Sequence, residues 1–243
     1  DVAEDQVRQI IQDLGASLDE PDADLSGDAG RIAALYASFM DTETIVKRGL
    51  TPIRPLINAV AALRDVRDLA AFVGEFERMG GVGLFGSYVD TDDRNSERYL
   101  FHIVQGGLGL PDESYYREDK FAEVREKYVA YLEKLFALAQ IDGAAEAARS
   151  VIELDTRLAA GHWERAETRD VQKTYNLTTR AELEALAPAF DWTAYLRNLG
   201  GTEAVLAETC VRQPSYLAHL SAVLTETPIE QWRTWMLSRV LRS

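Results

Sequence analysis

Apolar residues recur at helical spacing along most of the chain. Val7, Ile10, Ile11 and Leu14 fall on one face of a first helix, which Gly15 is expected to stop. Residues 18–30 read as an acidic loop, with Asp22 or Ser26 as the candidate start of the next helix. Ile32, Leu35, Tyr36 and Phe39 form a second stripe. Thr51-Pro52 and Arg54-Pro55 interrupt it before residues 56–63 resume the pattern. Asp65 precedes Val66, Leu69, Phe72, Val73 and Phe76, a short amphipathic helix ended by Gly80-Gly81.

The period changes in the middle. Residues 82–89 and 98–105 carry the β-branched and aromatic side chains of strands, with the turn formers Asp92-Asp93-Arg94-Asn95 between them, so one hairpin is expected. Gly106-Gly107-Leu108-Gly109-Leu110-Pro111-Asp112-Glu113-Ser114-Tyr115-Tyr116 then forms a strand-to-helix corner. Its glycines open backbone angles closed to other residues, Pro111 blocks helix, and the Asp112-Glu113-Ser114 run can cap the next helix.

Helical spacing returns after the corner. Phe121, Val124, Tyr128, Leu132, Leu135 and Ala139 define one face, and Asp142-Gly143 ends it; residues 145–160 form a further helix. Thr179-Arg180-Ala181-Glu182 fits a capping box, and Thr227-Pro228-Ile229-Glu230 fits a second with Pro at the first helical position. Between them Trp192, Tyr195 and Leu196 make a short helix closed by Gly200-Gly201. Residues 208–212 read as extended, and Pro214 opens a helix over residues 216–224. The last helix carries Trp232, Trp235 and Met236. The expected fold class is mainly α, a multi-helix domain over residues 1–243 with one small β-hairpin.

Composition removes several functions. A formal net charge of −14 and a sequence pI near 4.7, with no Lys/Arg stripe, argue against nucleic acid as a partner. The single Cys210 excludes an internal disulfide framework, and no apolar run is long enough to span a bilayer. The first residue is Asp1 rather than Met, and Ser243 follows no stop signal; both read as cut ends of a longer protein.

Candidate chemistry is sparse. Hydrolytic zinc needs three protein ligands and an open position, commonly two His one helical turn apart with a Glu between them. His102, His162 and His219 each stand alone, and His162-Trp163-Glu164 has no second His four residues on. Gly81-Val82-Gly83-Leu84-Phe85-Gly86 spells a dinucleotide fingerprint, but it follows a helix and opens a strand, the reverse of the arrangement that offers helix-start amides to a pyrophosphate. It reads as a helix stop and hairpin entry. Asp90-Thr91-Asp92-Asp93 lacks the Gly and distal Glu of a calcium loop and reads as a solvated turn. Asn176-Leu177-Thr178 is formally a glycosylation acceptor. Cys210, without a nearby base, reads as a small half-buried side chain. Tyr128 with Tyr131 and Trp232 with Trp235 read as core or interface. No catalytic, cofactor-binding or metal-binding residue is assigned to this stretch.

The corner and its neighbours carry a resemblance. Gly107-Leu108-Gly109-Leu110-Pro111 with Tyr115-Tyr116, the preceding Thr91-Asp92-Asp93-Arg94-Asn95-Ser96 turn, Glu153-Leu154-Asp155 with Leu158-Ala159, and Arg169-Asp170 followed by Tyr175-Asn176 resemble, in order and spacing, the non-catalytic half of the neprilysin family of zinc endopeptidases. The match runs from about the first helix to the last, with Ala33-Ala34-Leu35-Tyr36 and Met40-Asp41 at its start. The resemblance implies a helical lid that faces the catalytic part of the same polypeptide across an internal cavity and limits access to oligopeptide substrates. Zinc and its ligands are then expected C-terminal to this stretch, with none held here; Asn58-Ala59 lacks the setting of the family's substrate-binding Asn-Ala. One cysteine is a departure from the disulfide-rich vertebrate members and favours a bacterial relative, cytoplasmic or exported. A stand-alone helical binding or scaffold module is the alternative.

Overall fold

The computed structural model describes residues 2–18 and 26–243, which divide into two compact units, Asp1–Pro52 and Ile53–Ser243. The first holds α1 (Val2–Ser17), α2 (Asp28–Met40) and α3 (Thr42–Arg48). Helix α1 runs through Gly15 rather than ending there. A Cβ at Gly15 would overlap the Tyr36 ring, so this glycine permits close approach of α1 and α2 instead of stopping a helix. Helix α2 begins two residues beyond Ser26, with Gly27 as its cap; Asp22 lies outside the described residues. Asp41 caps α3, its side chain accepting from the Thr44 amide at 2.9 Å. Only Gly30 and Ala33 of these helices are buried, while Val7, Leu35, Phe39, Met40 and Val46 are all more than half exposed.

The second unit opens with α4 (Arg54–Ala61) and α5 (Val66–Arg78), the latter capped by Asp65 as its sequence predicts. Strands β1 (Phe85–Asp92) and β2 (Asn95–Gln105) pair antiparallel from Phe85 opposite Gln105 to Thr91 opposite Tyr99, with an irregularity at Thr91/Asp92. The hairpin is half of a larger sheet. Strands β3 (Leu177–Thr179) and β4 (Glu208–Val211) complete the order β1-β2-β4-β3, with β4 parallel to β2 and antiparallel to β3. Strand β4 falls on the segment read as extended, residues 208–212, whereas the three-residue β3 is too short to show a period of two.

Helices α6 (Ser114–Arg117), α7 (Ala122–Leu138) and α8 (Ala144–Ala159) follow the corner; α9 (Arg180–Leu186) and α10 (Trp192–Leu199) separate β3 from β4; α11 (Pro214–Glu226) and α12 (Ile229–Val240) close the chain. The buried stripe of α7 is Tyr128, Leu132 and Phe136, at strict four-residue spacing, with Ala139 beyond it; Val124 and Leu135 are more exposed. The capping box at Thr179 and Glu182 forms in both directions. The one expected at Thr227 does not. Thr227 Oγ1 instead donates to the Val223 carbonyl at 2.6 Å and accepts from Arg157 Nη1 at 2.9 Å, so it closes α11 rather than opening α12.

The core of this unit is aromatic at two places. Phe85, Phe190, Trp192 and Tyr195 meet with ring centroids 4.8–6.2 Å apart, and Trp232 and Trp235 of α12 meet edge to face at 5.7 Å. Tyr128 joins the core whereas Tyr131 stays on the surface, 48% exposed, because three residues carry it off the 128/132/136 line.

Candidate functional site

The glycine corner is held by a buried carboxylate on α8. Asp155 occupies the apolar face made by Val151, Leu154 and Leu158, and its side chain is fully buried. Its Oδ1 accepts from Trp235 Nε1 at 2.7 Å and Arg239 Nη2 at 2.9 Å; its Oδ2 accepts from the hydroxyls of Tyr116 and Tyr128, both at 3.1 Å, and from the Gly109 amide at 3.2 Å. A buried charge keeps its place only when paired and hydrogen-bonded, and this one is both.

The other ends of those groups bind the corner itself. The Tyr116 hydroxyl accepts from the amides of Gly109 and Leu110 at 2.9 and 2.8 Å. Arg239, 6% exposed and stacked 4.4 Å over Trp235, donates to the carbonyls of Gly107 and Leu108, and Arg242 donates to the Gly109 carbonyl at 3.3 Å. Gly107 sits at φ +81°, and a Cβ on Gly109 would overlap the Tyr128 hydroxyl. The corner thus needs glycine for conformation at one position and for space at another. Burial, and next the Asp155 carboxylate, push the pKa of both tyrosines up, so their hydroxyls stay donors.

A cavity of about 520 Å³ opens beside the corner, lined in part by Gln105, Gly107, Leu110, Asp112, His162 and Trp163. The Gln105 side chain donates to the Trp163 carbonyl at 3.0 Å and accepts from its amide at 2.8 Å, in the manner of a strand partner. His162 donates through Nε2 to the Gly106 carbonyl at 3.0 Å and meets Tyr216 edge-on; burial pushes its pKa down to about 4, which makes it a neutral donor. Chemically these groups fix backbone.

The three histidines do not converge. His102 lies in β2 with its ring stacked on Tyr88 at 5.0 Å and both nitrogens unpartnered; His219, on α11, has Nε2 2.7 Å from the Arg157 carbonyl. Among the described residues no group of three or more His, Cys, Asp or Glu side chains is placed to hold a metal ion, so the residues present do not fit a zinc site. Residues 81–86 leave α5 and enter β1. The Asp90–Asp93 run is not a solvated turn throughout: Asp92 is buried, accepting from Arg98 at 2.7 Å and the Arg94 amide at 2.9 Å, and Asp93 pairs with Arg212 at 2.6 Å. Cys210 is fully rather than half buried, and desolvation raises its thiol pKa. Asn176 spends its amide on the Lys173 and Val211 carbonyls, tying the approach to β3 onto β4.

Asp155, Arg239 and Arg242 have no assigned role in a reading by motif. Their signal is a charge on an apolar stripe: Asp155 beside Val151, Leu154 and Leu158, and Arg239 beside Trp232, Trp235 and Met236. Segments far apart in sequence gather into two clusters, the corner with α8 and α12, and the 92–95 turn with Tyr175, whose ring lies 4.2 Å from Arg94.

Fold and site together define a mainly helical module whose four-stranded sheet leads into a glycine corner clamped by a buried acid. The pattern that defines peptidase family M13 matches residues 1–243, and the chain belongs to that family. Its fold matches the zinc metalloprotease ZMP1 of Mycobacterium tuberculosis in complex with an inhibitor, at 36% identity and a TM-score of 0.88 over 99% of this chain and 36% of that one. The open state of ZMP1 matches with a TM-score of 0.87. Endothelin-converting enzyme-like 1 of Homo sapiens is 24% identical over 87% of this chain and 29% of its own length, and endothelin-converting enzyme 1 of Cavia porcellus is 31% identical over 47% and 16%. The chain therefore spans under a third of these curated relatives and little more than a third of ZMP1.

Proposed function

We propose that this chain is the N-terminal part of a zinc metalloendopeptidase that cleaves oligopeptides, and that it forms the lid over an internal cavity whose hydrolytic residues and zinc belong to the catalytic part of the same polypeptide. The observation that carries this reading is the match to ZMP1 over 99% of this chain but 36% of that enzyme. A wall that excludes folded proteins restricts cleavage to short or flexible peptides and keeps bulk water from the reacting centre. The acid excess of the chain favours cationic peptides.

The test compares this chain with the polypeptide extended beyond Ser243 to the length of the relatives. Only the longer one is expected to retain zinc in stoichiometric amount and to cleave a quenched fluorescent oligopeptide, with basic peptides cut faster than matched acidic ones at low salt. Zinc retention or cleavage by residues 1–243 alone would overturn the division of labour. A longer polypeptide that binds peptides without cutting them would favour the scaffold alternative, for which the exposed apolar side chains of α1–α3 offer a surface.

A further inference from the structure

Three oxygens from three elements of the second unit meet away from the glycine corner. Tyr195 Oη of α10 lies 2.6 Å from Glu77 Oε2 of α5 and 2.8 Å from Ser87 Oγ of β1, and Ser87 Oγ lies 3.1 Å from the same Oε2. All three separations are hydrogen-bond lengths, and each bond needs its own hydrogen. Tyr195 and Ser87 supply one each, and a carboxylate supplies none. With Glu77 ionised, three contacts share two hydrogens, and one pair of oxygens faces lone pair to lone pair.

A third hydrogen completes the ring. The Glu77 carboxyl then donates to Ser87, Ser87 to Tyr195, and Tyr195 back to Oε2, so every contact is filled.

The surroundings give the ionised form little support. Glu77 Oε1 is buried without a partner, and no basic side chain bonds to the carboxyl. From α10 it is faced by the Tyr195 phenol, from β1 by the Ser87 hydroxyl, and from the connection between α5 and β1 by Gly83, where a Cβ would overlap Oε1. Its chain neighbour Arg78 is turned to the Asn198 carbonyl at 3.1 Å. Desolvation is the largest influence on Glu77 and pushes its pKa up to about 7, against the two hydroxyl bonds.

We propose that Glu77, Ser87 and Tyr195 form a proton-binding clasp that takes up one proton from water on mild acidification and thereby ties α5, β1 and α10 together more firmly in acid than in alkali. The clasp acts close to the corner along the sheet. Leu84, just before β1, accepts from the Tyr216 hydroxyl at 2.6 Å, and that same hydroxyl lies 3.0 Å from the Gly106 carbonyl. Loosening the start of β1 therefore loosens the entry to the corner, independently of whether the parent protein is a peptidase.

The test is the unfolding equilibrium of the chain between about pH 6 and 8, beside Glu77→Gln, with amide protection factors for β1 and α10. A carboxyl titrating near neutrality in the folded chain and in its ordinary range when unfolded shifts that equilibrium about tenfold across this interval. The expected result is a tenfold loss of stability and of β1 and α10 protection toward pH 8 in the native chain relative to Glu77→Gln, whose amide supplies the third hydrogen at every pH and in which His162 titrates as in the native chain. An unchanged slope in the variant would overturn the clasp. Direct titration of the Glu77 side-chain carbon by NMR in the native sequence decides the matter even where the variant fails to fold: a midpoint near neutrality supports the clasp, and one at the ordinary glutamate value of about 4.3 sinks it.

Discussion

Asp155 and Glu77 both bring a carboxylate into the interior of the second unit, and they are received in opposite ways. Asp155 meets a guanidinium, an indole N–H, a backbone amide and two phenols, divided between its two oxygens. Glu77 meets two hydroxyls at one oxygen and nothing at the other. Burial is common to both, so burial does not determine what a carboxylate does. The donors do: N–H groups and a cation make Asp155 a fixed clamp on the corner, while a shortage of hydrogens makes Glu77 a place where a proton can be added.

The most severe way to break the comparison is Asp155→Asn. It leaves Arg239 buried without its counter-charge, and a loss of about 3–5 kcal/mol by urea denaturation is expected; a loss under about 1 kcal/mol would show that the clamp is dispensable. Next comes Gly109→Ala, which forces a methyl group into the Tyr128 hydroxyl beside Asp155 and should cost about 1–3 kcal/mol. Stability equal to the native chain would mean that the corner has room the structure denies it. The smallest effect is a matter of sign. Glu77 contributes stability that is present in acid and lost as pH rises through about 7. His162, held below its ordinary value by burial, contributes stability present above about pH 6.5 that is lost as pH falls toward about 4. The two oppose each other between about pH 4 and 6.5, so His162→Gln should leave the Glu77 fall uncompensated and make stability decline with pH from acid through neutrality. A variant whose profile below about pH 6.5 matched the native chain would remove the His162 assignment.

The clamp and the clasp were legible to different degrees. The corner itself stands out in sequence, because three glycines and a proline within six residues allow few backbone paths. Its clamp does not, since the Asp155–Arg239 pair joins residues 84 apart and each reads locally as an odd charge on an apolar stripe. The clasp has no local signature: Glu77 ends an ordinary amphipathic helix, and its partners lie 10 and 118 residues away. The first unit gives the converse case. Val7 and Ile10 in α1 repeat at helical spacing just as Leu69 and Val73 do in α5, yet the former are more than half exposed and the latter fully buried. Periodicity states which face is apolar and leaves open what lies opposite.

What this chain determines by sequence alone is whatever is settled within a turn or two of backbone: the helix starts at Asp65 and Thr179, the hairpin, the corner, and the order of segments that marks the family. The reason is that a cap or a tight turn involves neighbours whose separation is set by covalent geometry. Tertiary structure decided which stripes found a partner, that β4 would run parallel to β2, and that Thr227 would serve α11 instead of α12. Those outcomes depend on groups brought together only after the chain has folded back on itself, and no local pattern encodes the distance between them.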